Sequence, residues 1–353
     1  VSVVEGKAGL RVGVFGAGAI GVHVGLRLAG AGAQVTLLGR QALVDLHASG
    51  SLHTASLDAR GGGPPVPAPA EIRIGTEPSV LTDSELILLC VKSGDTQAVI
   101  PALHEMTAGT GAPVISLQNG LRNPGLLRAA GLEVLAGMVS FNVNRVDEEG
   151  RAVYRQATTG PIMVEASRAH AAPLARLEDL CVRAQIEFEL HTDMRGVATG
   201  KLLLNLNNAI CSLAGVSIAD SLRSRPLRRC FAASMREALR IYAAAGERPA
   251  RVGKLPPRMI AGLLPLPDAI VLRVAKSMIT VDPRARSSTL QDLERGKLTE
   301  IDALNGELVA LADRVGVPCP INRWIVDQIH VLEGQAELEF FEADVLWARI
   351  KAL

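Results

Sequence analysis

Leu10 to Phe15 is a short apolar run rich in valine, and the period changes immediately after it. Gly16-Ala17-Gly18-Ala19-Ile20-Gly21 leads into residues 22–30, where Val24, Leu28 and Ala31 recur at helical spacing until Gly30 and Gly32 end the segment. Val35 to Leu38 is a second apolar run. Strand, glycine turn, helix and strand in this order predict the opening of a parallel α/β sheet. Further strands are predicted over 72–74, 86–91, 114–117, 134–139, 152–156, 162–165 and 187–190. Helices are predicted over 96–106, 121–129 and 173–184. The glycine- and proline-rich stretch 61–67 reads as a surface loop whose flanks belong to the same sheet.

After about His191 the strand signals stop and long amphipathic helical patterns run to the end. They cover 195–213, 225–245, 284–290 and 298–315, then 322–351 with a break at Gly334. Pro256, Pro257, Pro265 and Pro267 punctuate the middle. The pattern divides the chain into an α/β domain, 1–191, and an all-α domain, 192–353, and 353 residues leave room for both.

Composition narrows the classes of function. With 37 basic and 36 acidic side chains, the net charge of +1 provides no general attraction to nucleic acid or an anionic membrane. A small anionic ligand needs only a local positive site. The five cysteines form no CxxC pair and no metal-like spacing, so reduced thiols, no metal site and a cytoplasmic location are expected. No secretory signal opens the sequence, and no apolar stretch reaches the roughly 20 residues of a membrane span.

Gly16, Gly18 and Gly21 make a GxGxxG that follows a strand and opens a helix. The first glycine permits the tight turn, the second lets the backbone approach a pyrophosphate, and the third allows close helix–strand packing. The helix N-terminus, with Ala17, Ala19 and Ile20, supplies N–H groups and partial positive charge. The second strand ends in Gly39-Arg40, with no carboxylate for a ribose 2′-OH; Arg40 suits a 2′-phosphate, which predicts NADP as cofactor. A surface arginine would look the same. Lys92 and Asn119 follow predicted parallel strands at their carboxyl ends, where open α/β sheets bind ligands, although a solvated lysine and an ordinary Asn-Gly turn fit equally.

In the helical half, Lys201, Asn205 and Asn208 share one helix face among leucines. A partly buried lysine there would titrate low enough to act as a general acid; a lysine extending its ammonium off a core helix is the alternative. Glu300 and Asp302 follow Ser287-Ser288 and Gln291-Asp292, and by periodicity alone are exposed helix charges.

In order and spacing these elements resemble the ketopantoate reductase (2-dehydropantoate 2-reductase) family. GAGAIG at 16–21, Val91-Lys92, Gln118-Asn119-Gly120, Lys201 with Asn205, and Ser287-Ser288 through Thr299-Glu300-Ile301-Asp302 to Asn305-Gly306 carry the resemblance over nearly the whole chain. It implies a Rossmann-type dinucleotide-binding domain, then an all-α domain of the 6-phosphogluconate dehydrogenase C-terminal type, with substrate in the cleft between. It implies that Lys201 is the proton donor and that Asn119 touches nicotinamide and substrate. Lys92 would line the cofactor cleft, Asn205 would contact substrate, Ser288 would bind the substrate carboxylate, and Glu300 would serve active site and ribose. The sequence departs from the family where a second substrate asparagine is expected, at Ala209 with Asn208 beside it, and near Ala219 and Asp220, where a third is missing. These departures bear on the substrate more than on the chemistry.

The expected reaction is NADPH-dependent reduction of ketopantoate to pantoate, with reduction of another small anionic 2-oxo acid by a paralogue as the alternative. A nucleotide-binding regulatory protein without turnover is disfavoured by the joint presence of Lys201, Ser288 and Glu300. A homodimer stays open as the assembly.

Overall fold

The computed structural model describes residues 9–57, 62–251, 255–275 and 286–353. The chain divides into two compact units, 1–118 with 123–194, and 119–122 with 195–353.

The first unit is α/β. Its strands are β1 (Arg11–Phe15), β2 (Gln34–Leu38), β3 (Leu52–Ala55), β4 (Val66–Pro67), β5 (Arg73–Gly75), β6 (Leu86–Leu89), β7 (Val114–Ser116), β8 (Val134–Val139), β9 (Val143–Glu148), β10 (Arg151–Gln156), β11 (Ile162–Glu165) and β12 (Phe188–His191). Eight form one sheet in the order β12-β11-β8-β7-β6-β1-β2-β5, parallel except between β11 and β8. The four residues of β6 and the last four of β1 are all buried, as strands covered on both faces must be. The helix Ala19–Gly30 buries Val22, Val24, Leu26 and Leu28 in the core of this unit.

The expected placement of the loop's flanks fails here. The flanks of the 61–67 loop do not all join the main sheet: β3 and β4 belong to a second, four-stranded sheet in the order β4-β3-β10-β9, and only β5 pairs with β2. Alternation marks a segment as a strand but does not select its partner. Here β3 pairs with β10, about a hundred residues later, with Leu52 opposite Ala152. A buried histidine holds this sheet to the glycine-loop helix: His23 Nδ1 lies 2.8 Å from Thr54 Oγ1 and 3.1 Å from the Tyr154 carbonyl oxygen. Residue 61 of the loop, and residues 284 and 285 of the helix expected over 284–290, lie outside the described residues.

The second unit is all-α among the described residues. Its core packs Leu202, Leu203, Leu206 and Ile210 of the helix Met194–Ala214 with Met235, Ala238 and Ile241 of the helix Arg225–Ala244. Three of its expected helices depart from their bounds by more than one residue. The helix expected over 284–290 begins at Ser288 and runs to Glu294, because Ser287 caps it and accepts the Leu290 N–H at 3.2 Å. The one expected over 298–315 is a 3₁₀ turn, Ile301–Ala303, and then a helix, Asn305–Val315. The last breaks at Gly334 as expected, but its first part starts at Pro320, running Pro320–Glu333, and its second resumes only at Ala343, running Ala343–Lys351. Among the described residues, no helix is long and apolar enough to cross a membrane.

Candidate active site

In the α/β unit the glycine loop has the geometry its spacing predicts. Gly16 adopts φ +97°, and a Cβ there would lie 2.7 Å from the Val91 backbone nitrogen. At Gly21 a Cβ would lie 2.4 Å from the Gly16 carbonyl oxygen, so only glycine lets this helix start against the strand. Gly18 is different: a Cβ there meets nothing within 4 Å. Its lack of a side chain is not required by the protein's own packing, and it leaves room for a diphosphate to approach the backbone where the first-turn amides have no intrahelical acceptor. The loop therefore fits a dinucleotide.

The loop is tied to the end of β2, since Ala17 donates its N–H to the Leu38 carbonyl at 3.0 Å. Two residues on, Arg40 occupies the N-cap of the helix Gln41–Ala48 with its side chain exposed. Lys92, also exposed, precedes the turn Ser93–Asp95. Its backbone is braced by a buried polar network that gave no signal in the sequence. Gln118 Nε2 donates to Thr96 Oγ1 at 2.8 Å and reaches the Lys92 carbonyl at 3.5 Å; Thr96 donates to Asn123 Oδ1 at 3.0 Å.

In the helical unit three of the expected residues meet. Lys201 Nζ donates to Asn119 Oδ1 at 3.3 Å, and Asn119 Nδ2 donates to Glu300 Oε2 at 3.0 Å. The asparagine amide thus joins the ammonium to the carboxylate and commits one end to each. Burial pushes the Lys201 pKa down from its usual value to about 8, with the nearby Glu300 charge pulling the other way. A lysine tuned in this way is protonated at neutral pH yet acidic enough to donate a proton.

Asn205 and Asn208 lie on the same helix as Lys201, partly buried, between fully buried leucines. Ala209, where the family resemblance places an asparagine, is buried in the helical core. The two neighbouring serines differ. Ser287 is buried, caps its helix and donates to the Asn208 carbonyl at 3.2 Å, whereas Ser288 is exposed at the helix start. Two further residues without a sequence signal, Glu307 and Arg195, hold the backbone of segment 119–122.

The ketopantoate reductase PanE/ApbA family model matches residues 12–168, and the model of that family's C-terminal part matches residues 193–333. The chain belongs to the ketopantoate reductase family. Membership carries, at the level of the family, oxidoreductase activity on a 2-oxo acid with a dinucleotide cofactor. A 2-dehydropantoate 2-reductase of Halobacterium salinarum is 28% identical over 330 residues, covering 92% of this chain and 99% of its own. One of Archaeoglobus fulgidus is 26% identical over 327 residues, covering 92% and 98%. The crystal structure of a PanE/ApbA family ketopantoate reductase from Ralstonia eutropha superposes with a TM-score of 0.74 at 30% identity, covering 92% of this chain and 98% of that one. D-Mandelate dehydrogenase, in a ternary structure with NADH and anilino(oxo)acetate, shares the fold at a TM-score of 0.74 and 17% identity, with coverage of 92% and 98%.

Proposed function

We infer that the protein reduces 2-dehydropantoate to pantoate with NADPH. The observation that carries this reading is the Lys201–Asn119–Glu300 chain of hydrogen bonds around a partly buried ammonium. When bound, the reduced nicotinamide supplies a hydride to the ketone carbon. Lys201 holds its proton at Nζ and gives it to the oxygen that becomes the hydroxyl, and its charge stabilises that oxygen as negative charge develops. Asn119 orients the ammonium, and Glu300 keeps it charged. Asn205, Asn208 and Ser288 orient the substrate, with the Ser288 hydroxyl and the helix start taking its carboxylate. Gly16, Ala17, Gly18, Ala19, Ile20 and Gly21 hold the diphosphate, Arg40 takes the 2′-phosphate, and Lys92, Asn119 and Glu300 serve the nicotinamide half. The five free thiols, four of them buried, suit a reducing cytosol.

A second reading keeps the chemistry and changes the substrate to another 2-oxo acid. Ala209 favours it, because a substrate-binding asparagine of the family is replaced by a core methyl. The fold also serves D-mandelate dehydrogenase with NADH, so the scaffold alone commits neither substrate nor cofactor. Oxidation of NADPH and of NADH, followed over a range of concentrations of ketopantoate and of each 2-oxo acid in a panel, decides between them. A higher kcat/KM for ketopantoate with NADPH supports the first reading. A higher value for another 2-oxo acid replaces it with the second.

A further inference from the structure

Segment 119–122 packs with the helical unit, and its backbone is gripped by two side chains from different helices. Glu307, on the helix Asn305–Val315, accepts the Leu121 N–H on Oε2 at 3.1 Å and the Arg122 N–H on Oε1 at 3.3 Å. Arg195, near the start of the helix Met194–Ala214, donates Nη1 to the Leu121 carbonyl at 3.3 Å. Both backbone polar groups of Leu121 are therefore held. Arg195 is itself fixed by Glu247, with Nε 2.8 Å and Nη2 2.7 Å from Oε1. The Glu307 side chain is only 8% exposed. Burial pushes its pKa up, against the pull of Arg122, the two amides and Arg195.

The grip acts on Leu121 and Arg122, two and three residues after Asn119. Gly120 adopts φ +89°, and a Cβ there would lie 2.9 Å from the Ala303 carbonyl oxygen and 3.1 Å from Glu307 Oε1. The turn is thus pressed onto the stretch that carries Glu300, Ala303 and Glu307. The start of that stretch is anchored as well: the Thr299 N–H and hydroxyl both donate to Glu333 Oε1 at 2.7 Å. One braced stretch consequently supplies the carboxylate that receives the Asn119 amide and the carboxylate that fixes the backbone just after it.

We propose that Glu307 and Arg195 are a positioning pair that sets Asn119, and through it the Lys201 ammonium, for proton transfer. This rests on the reading of Lys201 as proton donor. Glu307 is a positioning residue: it touches the backbone that carries Asn119, and its effect passes through that amide.

A double-mutant cycle on kcat with NADPH and the best 2-oxo acid tests it. Glu307→Gln keeps the size of the side chain but loses one acceptor. It is expected to lower kcat about tenfold or more, since misplacement by about 1 Å costs on the order of 10²-fold, with the KM for NADPH nearly unchanged. In an Asn119→Ala background it is expected to add nothing. The basic limb of the kcat–pH profile is expected to move in Glu307→Gln as it moves in Asn119→Ala, a shift that a loss of stability alone does not produce. If Asn119→Ala lowers kcat while Glu307→Gln does not, or if the two losses multiply, the clamp has no role in positioning. Wild-type kcat in folded Asn119→Ala removes the reading of the site itself, and the clamp's role with it. If Glu307→Gln does not fold, Arg195→Lys is put through the same cycle and judged by the same outcomes.

Discussion

Lys201 Nζ lies 3.3 Å from Asn119 Oδ1, a residue 82 positions earlier in the chain, and the same amide reaches Glu300, 181 positions later. The ammonium donates to a neutral acceptor, and the Glu300 charge favours its protonated form. Burial has already drawn its pKa down to about 8.

A lysine in that state acts as a proton donor only while charged. The kcat for ketone reduction should be level below about pH 8 and fall above it. Lys201→Ala should lower kcat by about 10²-fold or more and leave NADPH affinity much less affected. Because the Glu300 charge raises the Lys201 pKa, Glu300→Gln should move the basic limb to lower pH. Steady-state rates from pH 6 to 10 check both. A folded Lys201→Ala enzyme with near-wild-type kcat, chemistry being rate-limiting, takes the lysine out of the mechanism.

The glycine loop separates packing from ligand binding. Gly16→Ala places a methyl 2.7 Å from the Val91 nitrogen at a positive φ, so it should lower the melting temperature and the yield of folded protein. Gly18→Ala meets no protein atom within 4 Å and should fold as wild type while binding NADPH more weakly. Titration by fluorescence, together with thermal melts, distinguishes the two. Unchanged NADPH affinity in Gly18→Ala counts against a diphosphate at that loop.

Arg40 is exposed at the end of β2, beside a loop fixed to that strand by the Ala17–Leu38 hydrogen bond. Arg40→Ala should weaken NADPH binding far more than NADH binding. Equal losses for both cofactors, or a wild-type preference for NADH, reject the 2′-phosphate assignment.

Ser287 and Ser288 should part company. Ser287→Ala removes a helix cap and a buried contact with the Asn208 carbonyl, and should cost about 1 kcal/mol of stability. Ser288→Ala should leave the melting temperature in place and raise KM for the 2-oxo acid, since a carboxylate anchor acts mainly in ground-state binding. The opposite assignment of the two effects makes Ser287 the substrate contact.

Acid should loosen the α/β unit through His23. Burial draws its pKa down to about 4, against about 6.5 for an exposed histidine. Between these values the unfolded chain binds a proton that the folded chain does not, so stability is lost as the pH falls from about 6.5 to about 4. The loss is on the order of 3 kcal/mol. Denaturant melts of wild type and His23→Gln at pH 7 and pH 4.5 measure it. An equal pH slope in the two proteins assigns the acid sensitivity to other groups.

The local patterns were sufficient for the elements that depend on neighbours in the sequence. The GxGxxG turn is legible because φ +97° at Gly16 and the 2.4 Å approach at Gly21 each admit only glycine. The face shared by Lys201, Asn205 and Asn208 is legible because 3.6 residues per turn place them together. By contrast, only the tertiary structure decided that β3 joins β10 and not the main sheet, because alternation is the same whichever partner a strand takes. The helix expected over 298–315 opens instead as a 3₁₀ turn. Just before that turn Glu300 meets Asn119 and Thr299 meets Glu333, contacts between residues far apart in the chain that no local period records. The grip of Glu307 and Arg195 on Leu121 was invisible for the same reason: its targets are backbone N–H and C=O groups, which every residue carries and which leave no mark in the sequence.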